Sequence, residues 1–292
     1  MMGAGAVFQK NRRRWEEGFF RFLMYASTFI VVGSLLLILV TIIWKGLPSL
    51  SLSMITQVPK GGYYLGKEGG ILNAIVGSLY LAGGATLLAI VLSLPVVLYL
   101  NLYTRKYSPL ANFVRFSFDV LWGIPSIVFG AFGFVIMVFL GLRTSLLAGI
   151  ITVALLEFPI MSRAMDEVVR LVPRDLKDAS YSLGATKLET ALKVIIRQSL
   201  PGIVTGVLIA FGRGIGDAAS VLFTAGFTDR IPTSLGQPAA TLPLAIFFQL
   251  GTPYPEVRQR AYASAAVLTI LILIISLVSR YLVRRYTKHT VT

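Results

Sequence analysis

A chain of 292 residues that is 55% hydrophobic, with a mean hydropathy of +0.77, is too apolar for a soluble domain of its length. It has no cysteine and one histidine, His289 in the C-terminal tail. Disulfides, thiol catalysis and the usual zinc ligands are thereby excluded, and no catalytic residue or metal site is assigned. A net charge of +14 would point to nucleic acid in a soluble protein, but here the cations must first be sorted by side of a membrane.

The first apolar run, 22–44, follows Lys10, Arg12, Arg13, Arg14 and Arg21. It is too long for a signal-peptide core and no small-residue cleavage site follows it, so it reads as a retained span. The stretch GGYYLGKE at 61–68 nearly spells a phosphate loop. Glu68 replaces the hydroxyl that would hold magnesium, and no strand is predicted before it, so a flexible turn is the better reading. Trp44, Tyr63, Tyr64 and, near the far end, Tyr281 suit interfacial anchors. A second run, 71–101, contains Gly83, Gly84 and Pro95 and is expected to tilt or kink. A third, 117–141, begins near Asp119, expected to cap or snorkel. It includes Ser126 beside Pro125, where a hydroxyl suits a freed backbone group. A fourth, 144–162, places Glu157 before Phe158 and Pro159, where it is expected to reach interfacial water or pair with Arg163.

The segment 163–200 is polar. Pro173 signals a helix start, Gly184 interrupts it, and 185–196 resumes with helical spacing through Leu188, Ala191, Leu192 and Ile195. Two short helices joined at a glycine fit a docking knob or an amphipathic surface helix, and the residues alone leave both readings open. A fifth run, 201–226, carries Gly202, Gly206, Ala210, Gly214 and Ala218 at every fourth position, a stripe that would let another helix approach closely. Arg213 lies about 18 Å along this run, near mid-bilayer. Asp217, four residues on, is expected to pair with it, either as a structural ion pair or beside an anion pathway. A sixth run covers 261–283.

Six spans with the N-terminus inside put 19 of the 27 Lys/Arg on the inner side and seven on the outer. Both termini are therefore expected in the cytoplasm. The positive charge is then explained by topology and attraction to anionic lipid, with no nucleic-acid partner.

The stretch DASYSLGATKLETALKVIIR, 178–197, resembles the EAA loop of ABC importer permeases. Asp178, Ala179 and Ser180 stand at its E-A-A, Gly184 at its glycine, and Val194, Ile196 and Arg197 at its I, L and P. Departures are Asp for Glu, Ser for Ala and Arg for Pro. Further stretches, GGILNAIVGSLYL (69–81), GIPSIVFGAFG (123–133), RGIGDAA (213–219) and LPLAIFFQL (242–250), are similar to permeases of phosphate-specific importers, and the likeness covers about 69–285. It implies an all-α, six-helix type I ABC importer permease (MetI-like) fold in a bacterial or archaeal inner membrane. Residues 1–68 would form the N-terminus, first span and outer loop, 69–285 the permease domain, and 286–292 the tail. It further implies that Asp178, Ala179, Ser180, Gly184 and Ala185 belong to a coupling helix. The implied partners are a sister permease, two ATP-binding subunits that hold ATP and magnesium, and an extracytoplasmic phosphate-binding protein. This chain itself would bind no cofactor. A permease for another oxyanion and an ATP-independent transporter are the alternatives. A membrane enzyme is disfavoured by the absence of a nucleophile or embedded acid pair.

Overall fold

The computed structural model describes residues 4–60, 68–105 and 108–286. The stretch 61–67, with Tyr63 and Tyr64, and the tail 287–292, with His289, lie outside the described residues. The helices are α1 (Ala4–Gly46), α2 (Leu52–Thr56), α3 (Leu72–Leu102), α4 (Pro109–Trp122), α5 (Ser126–Phe139), α6 (Leu146–Arg170), α7 (Arg174–Ser182), α8 (Lys187–Glu189), α9 (Ile196–Ile215), α10 (Leu242–Leu250) and α11 (Pro255–Tyr286). A π turn, Thr190–Ile195, joins α8 to α9 in one run, Lys187–Ile215. Pro59–Lys60 pairs with Glu68–Gly69 as a two-residue antiparallel ladder, so Glu68 sits in extended backbone.

Among the described residues, five helical runs are long and apolar enough to cross a bilayer. The third expected span, 117–141, is not a straight helix. It is the pair α4 and α5, bent by 102° where Gly123 and Pro125 interrupt the hydrogen-bond ladder. The pair still carries the chain from one end of the bundle to the other. Arg115 on α4 meets Asp166 near the end of α6, whereas α5 leads directly into Ser145, the N-cap of α6.

α3 and α6 form the spine. Small residues hold them close: Ala82, Ala85 and Ala89 of α3 are buried, and Gly84 leaves room for Ile150. α9 packs on α6 and α3, and α11 packs on α9 and α10. α1 rests chiefly on α11, with most of its apolar side chains exposed, as suits a lipid-facing helix.

The expected fifth span, 201–226, is corrected: α9 ends at Ile215, and 216–241 is largely irregular. The sequence stays apolar because this segment is buried in protein rather than lipid. Val221, Thr224, Ala225, Ala239 and Ala240 are all buried. Irregular backbone at such a depth needs polar partners, and it finds them at helix ends. Ser145 N and Leu146 N donate to Thr224 O and Gln237 O at 2.9 and 2.7 Å, and Leu147 N donates to Leu235 O. The otherwise orphan donors at the start of α6 thus satisfy carbonyls of the segment. Asn73 Nδ2 donates to Thr228 O, and Ser78 Oγ accepts from Leu242 N, tying the same segment to α3.

At the opposite end, buried Asp166 of α6 accepts from Asn101 Nδ2 of α3 at 2.7 Å and from Arg115 Nε of α4 at 2.8 Å. Three helices meet on one carboxylate. Removing one member of such a buried pair costs about 3–5 kcal/mol, because the other charge stays desolvated. Asp166→Asn is therefore expected to lower membrane abundance and the thermal midpoint in detergent. The apolar double replacement Asp166→Leu with Arg115→Met is expected to recover most of the loss.

Candidate coupling knob and mid-membrane site

The polar segment after α6 folds as a helix–turn–helix knob whose turn is two caps placed back to back. Pro173, in extended backbone, precedes α7. At the other end Gly184 adopts φ +82°, Gly184 N donates to Tyr181 O, and Ala185 N donates to Ser180 O. This is a Schellman arrangement, and it needs a residue at ease in the left-handed region. A Cβ at Gly184 would meet nothing, so the constraint is conformational and not one of crowding. Two residues later Thr186 caps the next helix. Its Oγ1 accepts from Glu189 N at 3.2 Å while Glu189 Oε2 accepts from Thr186 N at 3.0 Å. The signal for this capping box in the sequence is T-x-x-E at 186–189.

The expected coupling residues occupy distinct places. Asp178 and Ala179 are exposed. Ser180 Oγ lies 2.9 Å from Thr190 Oγ1 and clips α7 to the following helix, which gives the serine a use that alanine would lack. Ala185 is half-buried in the turn. The knob presents apolar side chains outward: Leu183 is 89% exposed, and Leu171, Leu188 and Leu192 are exposed too.

Deeper in the bundle, the small-residue stripe faces α6. A side chain at Gly202 would collide with Val168, one at Gly206 would touch Ala164, and one at Gly214 would collide with Glu157 and Val153. Ala210 is fully buried on the same face. Ala218 falls beyond the helix end and is not part of it.

Arg213 lies in the last turn of α9, level with the middle of α6, and is exposed on the single chain. The expected pair with Asp217 is not formed. The helix ends between the two residues, so the four-residue spacing no longer stacks them. Asp217 Oδ2 instead accepts from Ser220 N at 2.8 Å and caps the turn that follows. Among the described residues no carboxylate lies within ion-pair distance of Arg213.

Two further membrane charges differ from expectation. Glu157 does not reach water or Arg163. It is fully buried, accepts from Thr86 Oγ1 at 2.9 Å, and fills the space that Gly214 leaves empty. Arg163 pairs with Asp119 at 3.1 Å and Glu167 at 3.3 Å, so Asp119 links α4 to α6. Ser126 opens α5, and its hydroxyl makes no hydrogen bond among the described residues.

The fold is that of a type I ABC importer permease. It superposes on the inward-facing methionine ABC transporter MetNI with a TM-score of 0.60 at 22% identity, covering 74% of this chain and 95% of that one. Residues 93–289 match the family model described as binding-protein-dependent transport system inner membrane component. Over 258 residues the chain is 34% identical to the phosphate transport system permease protein PstA of Haemophilus influenzae, covering 88% of this chain and 90% of that protein. It is 35% identical to the protein of the same name from Yersinia pestis, covering 84% and 82%. The chain belongs to the family of binding-protein-dependent transport system inner membrane components, among its PstA-type permeases.

The caps of the knob make a direct forecast. Valine at position 184 would occupy a backbone region that costs a branched residue about 1 kcal/mol or more, whereas asparagine tolerates it. Gly184→Val is expected to leave the protein in the membrane but to speed proteolytic cleavage between α7 and α8. Gly184→Asn is expected to cleave at nearly the wild-type rate.

Proposed function

We propose that this chain is the membrane-spanning permease subunit of an ATP-driven phosphate importer. One observation carries the substrate: the relatives that match most of the chain, at 34% and 35% identity, are named phosphate transport permeases. On this reading the chain forms the translocation pathway with a sister permease. One of two ATPase subunits docks on the knob, and an extracytoplasmic phosphate-binding protein delivers the anion. ATP and magnesium then belong to the ATPase chains. The exposed leucines of the knob supply the apolar anchor of a docking surface, and Asp178 and Ala179 are exposed on α7. Both termini face the cytoplasm on this reading, and the distribution of Lys/Arg supports it.

Arg213 is the residue of this chain that meets the anion. Its support is geometric: a mid-membrane guanidinium without a carboxylate partner among the described residues, on the exposed side of α9, where a sister subunit would close the pathway. Asp217 acts locally, as the cap of the turn after α9.

The test is reconstitution. Phosphate uptake into liposomes is expected only when ATPase subunits, sister permease and ATP are all present, and ATP-independent uptake by the pure chain would refute the proposal. Arg213→Gln is expected to lower phosphate uptake at least tenfold with membrane abundance unchanged. Asp217→Asn keeps the capping oxygen and is expected to be mild in both measurements. Asp217→Ala loses the cap, worth about 0.5–2 kcal/mol, and should lower abundance first.

A further inference from the structure

Beside the knob a polar cleft of about 570 Å³ opens between the ends of α3 and α4, the last turn of α6, and α7. From α7 it is lined by Arg174, Lys177, Asp178 and Tyr181, at i, i+3, i+4 and i+7, which is one face of the helix. Arg105, Arg115 and Arg170 stand opposite. Five cations therefore converge on a space whose carboxylates are Asp178 in the wall and Asp166 below it. Asp166 is already engaged by Arg115 at 2.8 Å and lies 4.0 Å from Arg170. Among the described residues, Arg105, Arg174 and Lys177 have no carboxylate within ion-pair distance.

The orientation of α7 sharpens the point. Leu176 anchors the helix in the core and Leu183 points away from it, while the basic face turns inward to the cleft. Burial, and then the neighbouring Arg174, hold the Lys177 ammonium below its ordinary range. Like charges crowded into a partly desolvated space repel each other, and an anion between them would offset that repulsion. Three of the arginines can present paired N–H donors, Lys177 adds a point charge, and Tyr181 adds a hydroxyl. This donor set suits a tetrahedral oxyanion with several acceptor oxygens.

We propose that the cleft is a binding site for a phosphate-type oxyanion, held between α7 and the converging ends of α3, α4 and α6. Such an anion ties the knob to the bundle, so the position of α7 depends on its occupancy. Two sources share the chemistry: the headgroup phosphate of an anionic lipid, reachable because the cleft sits where the apolar span α3 ends, and free inorganic phosphate. The inference rests on the charges of the cleft and not on which substrate is transported.

The experiment uses the transporter purified as the complex in which it leaves the membrane, placed in nanodiscs of zwitterionic lipid. Arg105→Gln with Arg174→Gln removes two exposed rim cations outside the Asp166 network. Lys177→Gln serves as the second variant should the pair fail to assemble. Retained phospholipid is identified by native mass spectrometry, and binding of inorganic phosphate is measured by calorimetry. A lipid occupant predicts anionic phospholipid on the wild type that the variant retains at least tenfold less. A free-anion occupant predicts phosphate binding that weakens at least tenfold in the variant but survives Arg213→Gln, which separates the cleft from the transport pathway. Identical lipid content and identical phosphate binding in wild type and variant would overturn the proposal. It would also be overturned if the variant shed ATPase subunits with both of those readouts unchanged, since the cleft would then serve acidic residues of a partner protein.

Discussion

The structure depends on the close approach of α9 to α6. Gly202, Gly206, Ala210 and Gly214 remove side chains from one face of α9, so side chains of α6 (Val168, Ala164 and Glu157) pack directly against its backbone. Lipid supplies no hydrophobic force between helices, and dense packing with shared polar groups must hold them. Glu157 shows how tight this face is: its carboxyl group lies where a side chain at position 214 would be, and Thr86 reaches it from α3. With α9 fixed in this way, the knob is carried at one end of the same helical run. The irregular segment 216–241 is carried at the other, pressed onto the starts of α3 and α6.

The two ends solve the same electrostatic problem differently. Where 216–241 enters the bundle, neutral backbone donors at the start of α6 meet backbone carbonyls, and no charge is required. Where α3, α4 and α6 converge near the knob, the join is ionic, through Asp166, Arg115 and Asn101. A second ionic link, Asp119 with Arg163, lies on the same pair of helices, α4 and α6, and is more exposed. The bent pair α4 and α5 is therefore held by charge along α4 and by close packing along α5, where Gly133 lies against Thr152 of α6 and Gly130 against Ser220 of the irregular segment.

Much of this was legible in the sequence. Hydropathy located the six crossings, and the four-residue glycine repeat marked the face of α9 that packs. The Gly184 joint and its flanking residues pointed to the knob and to the family. What sequence alone missed has physical causes. Apolar residues in 216–226 signal burial, but hydropathy does not distinguish burial in protein from burial in lipid, so the end of α9 was overrun. Pro125 marks a break in the third span, but a local motif does not give the 102° bend, and window averages pass over the start of α4 at Pro109. Arg213 and Asp217 were paired on the assumption that the helix continued. Asp166 gave no local signal at all, since its partners come from helices 51 and 65 residues away.

The π turn at Thr190–Ile195 couples these parts geometrically. Ile196 N bonds to Ala191 O, five residues back, so this turn holds more chain than an α-helical turn. Each residue in an α-helix advances the azimuth by about 100°. The extra length therefore sets the compass bearing of everything before it, the knob included, relative to the face of α9 that grips α6. A helix with this turn straightened would keep its length nearly unchanged but aim its leucines at a different quarter of the compass. The direction in which the knob points is thus encoded by a count of backbone atoms, independent of any side chain that the knob displays.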